Sequence, residues 1–245
     1  MNKLSARILY ATFLILHMLL CSVICVQAQS FRQYSSQKVR AQTLKDYPDY
    51  RRKAEDIESR LSGMIGKGDD KRVYVIPVVF NIVASEGQPV PDRQQIQQQL
   101  NVLNQCFGPY KPPTPKGFPD KEVERYFSMG VDVGIQFVLR PETAGQTSVR
   151  QIKAERRNWG LFNEVQDARK GGLAPLDPDR VINIWIADLE GNNAGYAHLP
   201  GAPGELDGIV IDPDFFGTDK GTAKAPFEQG KTLVHLMGTY LGLYE

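Results

Sequence analysis

The chain has 245 residues and a formal net charge of +1, with 42% apolar and 23% charged residues. That length suits one domain, or one domain with a leader, and the apolar share is enough for a core. The near-neutral charge gives no sign of the basic surface that nucleic acid or an anionic membrane would need.

Lys3 and Arg7 precede an apolar run from Ile8 to Val26, followed by Val26-Gln27-Ala28. A positive start, an apolar middle and a small residue at the cut predict a secretory signal peptide over residues 1–28. The alternatives are an uncleaved N-terminal membrane anchor, since the run could cross a bilayer, and a lipoprotein built on Cys21 or Cys25. Cleavage after Ala28 leaves Cys106 as the lone cysteine, which excludes an internal disulfide and reads as a buried, inert thiol, with intermolecular pairing the alternative. The expected location is secreted, periplasmic or extracellular, with no membrane contact after cleavage.

Residues 29–70 read as a polar leader or pro-segment. Tyr50, Ala54, Ile57 and Leu61 recur at helical spacing within Tyr47 to Met64, which predicts a solvated helix. The globular domain, residues 71–245, opens with KRVYVIPVVFNIVAS, a β-branched run that reads as a central strand buried on both faces. A helix follows from Pro91 to Phe107, with Ile96, Leu100 and Leu103 on one face. After a proline-rich loop from Gly108 to Pro119, strands are predicted at Val133 to Arg140 and Ser148 to Lys153. Arg156 to Gly172 is polar, with a further helix expected there, and Val181 to Leu189 is a third clear strand.

GNNAGYAHLPG then reads as a turn into an edge strand, and GIVIDPDFF as another strand. Glu228 to Leu241 forms the last helix, with Gly242 in the left-handed position past its end. This order predicts an α+β or α/β sandwich with a mixed sheet.

Two motifs compete in the last helix. APFEQGKT, Ala225 to Thr232, fits a relaxed phosphate loop, in which backbone N–H groups wrap phosphates at a helix start. It lacks the first glycine, and a polar spacer, Gly217 to Lys224, separates it from the preceding strand, so no nucleotide is expected. LVHLMGTYLGLYE carries a His and, seven residues on, a Gly. In the zinc-peptidase pattern H-E-x-x-H-x-x-G-x-x-H, two His one turn apart share a helix face and the Gly turns the chain toward a third.

GKTLVHLMGTYLGL resembles the active-site helix of the pappalysin-like (cytophagalysin) metzincin metallopeptidases, the M43 type. VINIWIADLEGNNAGYAHLPG and DGIVIDPDFFGT resemble that family's strand, edge strand and approach to the helix. VYVIPVVFNIV, QQIQQQLNVLNQCF and GIQFVLR resemble its opening region in order and spacing, so the likeness runs over Lys71 to Glu245.

The resemblance implies a metzincin-like N-terminal subdomain, a twisted mixed sheet with the active-site-type helix beneath it. It also implies a secreted zinc endopeptidase. His235 then stands at the first metal position and Thr239 at the second. Leu236 stands at the general base and Glu245 at the third ligand. Beyond residue 28 the histidines are His198 and His235, which excludes three His ligands. Leu236 cannot take a proton from water, a loss of ~10²–10⁴ in rate.

Zinc is therefore expected from the family but not in this chain, and no catalytic residue is assigned. The family's C-terminal subdomain, with its methionine turn, is expected to be absent, leaving Leu233, Met237 and Leu241 uncovered on the last helix. The functional expectation is a catalytically inactive homologue that binds an extended peptide or protein along Gly195, Tyr196 and Ala197. The alternative is an active zinc endopeptidase with a non-standard site that recruits His198.

Overall fold

The computed structural model describes residues 33–64, 72–108, 133–143, 145–218 and 221–243. The signal-peptide expectation, most of the Gly108–Pro119 loop and Glu245 lie outside these residues. The elements are β1 (Gln33–Tyr34), α1 (Ser36–Asp46), α2 (Pro48–Met64), β2 (Tyr74–Ala84), α3 (Arg93–Phe107), β3 (Ile135–Leu139), β4 (Val149–Lys153), β5 (Ile182–Ala187), β6 (Asn193–Ala197), β7 (Ile209–Ile211) and α4 (Lys231–Tyr240).

The apolar run of β2 places it inside the sheet. It pairs in parallel with β5 along one side, at Val78↔Ile182. Along the other it pairs with β3 from Tyr74 and then with β4 from Phe80. The sheet order is β1-β6-β7-β5-β2-β3, with β4 also on β2. All pairs are parallel except β6 with β7. A mixed sheet is thus what the chain forms.

Strand alternation sends Phe80, Ile82, Ile184 and Ile186 to the face covered by α3 and α4. Val83, Trp185, Tyr196 and Val210 point to the other face, where Val39 of α1 and Trp159 cover them. That second face also holds a polar pair, the buried Asn81 amide donating to Asn183 Oδ1 at 3.0 Å.

α3 starts with a capping box formed by Asp92 and Gln95. Its Ile96, Leu100 and Leu103 are fully buried, matching the predicted stripe. Gln99, also fully buried, fixes the approach to α4. Its amide donates to Gly230 O at 2.9 Å, and its carbonyl accepts from Gly217 N at 3.0 Å. Gly230, in the left-handed region at φ +67°, makes the bend that starts α4.

Four expectations change. Leu233 and Met237 are fully buried against the sheet, because α4 turns that face inward; Leu241 and the half-buried Val234 lie at its margin. Cys106 is half-exposed and accepts from Lys231 Nζ at 3.0 Å, because its helix turns that position toward the end of α4. Arg156 to Gly172 forms turns and one short 3-10 segment, Ala168–Lys170, and not a helix, because Trp159, Leu161 and Val165 pack singly into the second face.

The leader is not merely a solvated helix. Its residues 33–46 form β1 and a second helix, α1, that pack on the domain. Ser36, Val39 and Thr43 of α1 and Tyr50 of α2 are buried, and Arg40 pairs with Glu58 to brace the two helices.

Candidate functional site

β6 and α4 meet where the zinc-peptidase resemblance places a cleft. What brings them so close is Gly195. A Cβ there would sit 2.4 Å from Val210 O and 2.7 Å from Leu236 Cδ1, and its φ is +152°. Only glycine lets β6 pass against β7 and under α4 at this distance. Leu236, which the resemblance places at the general base, is fully buried in the contact and faces the core between helix and strand.

His235 lies one step round the helix and is half-buried. The ring of Tyr34 stacks on its imidazole, with centroids 3.9 Å apart and planes at 29°. Tyr34 arrives there because β1 pairs in parallel with the outer edge of β6, at Gln33↔Asn193 and Tyr34↔Gly195. Gln33 N donates to Asn192 O at 3.2 Å and Ser35 N to Gly195 O at 3.1 Å. The Ser35 hydroxyl donates to Asn193 Oδ1 at 2.6 Å, and Ala197 N donates to the Ser36 hydroxyl at 3.1 Å.

β6 is therefore not the edge strand expected of Gly195, Tyr196 and Ala197. Its outer main-chain groups are taken by residues 33–36 of the same chain. Tyr196 is turned to the opposite face, where its hydroxyl donates to Gln166 Oε1 at 3.2 Å. Sequence reasoning missed Tyr34, Ser35 and Ser36. The available signal was Tyr-Ser-Ser just before a helix, which reads as a helix cap. Ser35 does precede α1 but makes no side-chain cap bond, spending its hydroxyl on β6 instead.

The fold has counterparts. Mature mirolysin of Tannerella forsythia, solved in complex with a cleaved peptide, superposes with a TM-score of 0.61 at 26% identity, over 72% of this chain and 66% of that one. Mirolysin in complex with a compound gives 0.60 at 26%, over 71% and 65%. The fold is that of a metallopeptidase. A Tannerella forsythia promirolysin variant, at 24% identity, shares the fold with a TM-score of 0.70 over 86% of this chain and 69% of that one. An extracellular metalloprotease of Arthroderma otae is 37% identical over 82 residues, 31% of this chain. The chain spans about two thirds of the mirolysin chains and 26% of the Arthroderma protein. No protein-family profile matches it.

Zinc, which metallopeptidase relatives imply, takes three protein ligands and an open position in a catalytic site. The residues around His235 do not fit that requirement. No group of three His, Cys, Asp or Glu side chains converges anywhere among the described residues. Thr239, one turn along from His235, is buried, and its hydroxyl donates back to His235 O at 3.3 Å.

His198 cannot join them, which removes the third ligand of the alternative reading. It shares the far face of the sheet with Tyr196, their rings 5.8 Å apart edge to face, and its Nε2 lies 3.5 Å from Gln166 Nε2. Burial there pushes the His198 pKa down to about 4, so it stays neutral.

The far end of α4 is pinned by a half-buried polar contact. Tyr240 donates to Asp207 Oδ2 at 3.0 Å, from the connection between β6 and β7. Burial raises the Asp207 carboxyl to about 6, against the lowering effect of the Tyr240 bond, while the nearby Asp179 adds to the rise. Gly242, in the left-handed region at φ +98°, ends the helix as its sequence position predicts.

Proposed function

We propose that this is a secreted metallopeptidase-fold protein of the pappalysin-like kind that does not hydrolyse peptides and instead binds an extended peptide along β6. The observation that carries the reading is the state of the three helix positions. His235 bears a tyrosine ring, Leu236 is packed in the core and Thr239 is bonded to its own helix. A site in that state has neither the donors to hold zinc nor a base to take a proton from water. Peptide binding is supported by the main-chain groups on the outer side of β6. These already accept and donate to an extended segment, as strand addition requires.

Residues 33–64 act in this reading as a pro-segment that has stayed in place. The likeness to promirolysin spans 86% of this chain against 71–72% for the other mirolysin structures, a widening comparable in size to these residues. Secretion is supported by the signal-like N-terminus and by the extracellular relative. Among the described residues no helix is long and apolar enough to cross a membrane.

The test is elemental analysis of the purified protein after dialysis against micromolar zinc, run beside hydrolysis of a mixed peptide library. The expected result is zinc far below one equivalent and no cleavage. Near-stoichiometric zinc with cleavage lost in His235→Ala would establish the active endopeptidase instead.

A further inference from the structure

The cleft already contains a ligand, and that ligand is part of the chain. We infer that the groove between β6 and α4 is a recognition site for peptides in which an extended aromatic residue is followed by two small hydroxyl residues that turn the chain out of the strand. The aromatic ring rests on the imidazole of His235, and Gln33 to Ser36 are the resident copy of that sequence. This rests on the reading of β6 as a peptide-binding strand and names the class of peptide it takes.

Each position of the resident segment is read by a different group. Tyr34 is paired with Gly195, which has no side chain to occupy the space beside α4, so the ring opposite it can lie against the helix. It stacks on His235 there and packs against the main core. Ser35 is held through both its N–H and its hydroxyl, by Gly195 O and by the Asn193 side chain. Ser36 accepts from Ala197 N, and it is fully buried, which leaves no room for a larger side chain. Gln33, by contrast, is exposed, so the site reads little there.

His235 is a platform in this site. Stacking uses the face of the ring, whereas holding a metal would use a nitrogen in its plane. The position that metallopeptidases give to a metal-binding imidazole here selects for an aromatic side chain. The resident segment has the advantage of its tether, which keeps it at an effective concentration in the millimolar range. An external peptide must therefore displace it, and this is easiest at β1, which contributes two residues of pairing.

The test opens the site without removing the leader. In the full chain, Tyr34→Ala combined with Ser35→Pro and Ser36→Ala removes the resident ring, the N–H that bonds Gly195 O and the hydroxyl that bonds Ala197 N, while Val39 and Thr43 still seat α1 on the domain. A labelled peptide with the sequence of residues 31 to 37 is titrated against this variant, against the unaltered chain and against the variant carrying His235→Ala as well. Peptides with Ala or Phe in place of the tyrosine are run in parallel, and circular dichroism checks that each protein is folded.

The expected result is binding to the opened variant at least tenfold tighter than to the unaltered chain. The Phe peptide should fall within threefold of the Tyr peptide and the Ala peptide at least tenfold weaker. His235→Ala should reduce that Tyr-to-Ala difference to less than threefold. Equal binding of the Tyr and Ala peptides to the opened variant would overturn the aromatic site and leave strand addition standing. No binding of any peptide to a folded, opened variant would overturn both.

Discussion

Leu236→Glu puts back the residue type that the zinc-peptidase pattern has beside its first histidine, and the structure says that it will damage the fold and restore nothing. Leu236 is fully buried, with Cδ1 in the space above Gly195. Replacing it removes roughly 2–3 kcal/mol of apolar burial. Placing even a neutral carboxyl there adds roughly 1–3 kcal/mol of unmet hydrogen bonding. At pH 4 the loss is therefore about 3–6 kcal/mol, a large part of the roughly 5–15 kcal/mol that holds a domain together.

The loss must grow with pH. A carboxyl in that contact has its pKa raised, so the folded state keeps a proton that the unfolded state gives up above about pH 4.3. Each further pH unit costs up to ~1.4 kcal/mol until the folded-state pKa is reached. Urea unfolding at pH 4.5 and 7 measures both parts, and Leu236→Gln, which cannot ionise, separates them. The Glu and Gln variants should match at pH 4.5 and diverge by at least ~2 kcal/mol at pH 7, with no peptide cleavage by either. If Leu236→Glu is as stable as the parent at pH 7, the side chain faces an open cleft and the buried-contact account is wrong.

Gly195→Ala should cost roughly 2–5 kcal/mol, the sum of backbone strain and overpacking, because the new methyl meets Val210 O and Leu236 at once; thermal unfolding checks this, and a change below about 0.5 kcal/mol would deny the close approach. Asp207→Asn should be stabilising at neutral pH. The folded pKa of about 6 lies above the ordinary 3.8, so the stability that Asp207 contributes is complete below pH 3.8 and is lost as pH rises through 6. The Asn variant keeps an acceptor for Tyr240, so it should match the parent near pH 4 and exceed it by about 1–3 kcal/mol at pH 7 in urea unfolding. A gain independent of pH would assign the effect to something other than the carboxyl.

Much of the scaffold was legible in local patterns. The β-branched run of β2 could only be an inner strand, since a surface strand has polar residues on alternate positions. The stripe on α3 and the glycine after α4 were equally direct, being matters of helix period and backbone freedom. The length of polar chain around Trp159 was less so. A helix was expected there, but single buried side chains at irregular spacing hold that segment, and no period records them.

The candidate site divides along the same line. That Thr239 and Leu236 stand beside His235 is written in residue identities alone. Which groups stand near His235 was a question of distance in space. Tyr34 is 201 positions away in the chain, and nothing in Gln33-Tyr34-Ser35-Ser36 marks it as the partner of a glycine in β6. Likewise His198 looked available to the cleft until strand alternation put it on the opposite face of the sheet.

The chain alone determined the class of its elements, the order in which they follow and the residue types carried by the last helix, because these depend on residue type and local spacing. Only the tertiary structure decided that the outer side of β6 is filled and by what. Pairing between strands depends on which main-chain groups are left free once the whole sheet has formed, and that is a property of the assembled chain.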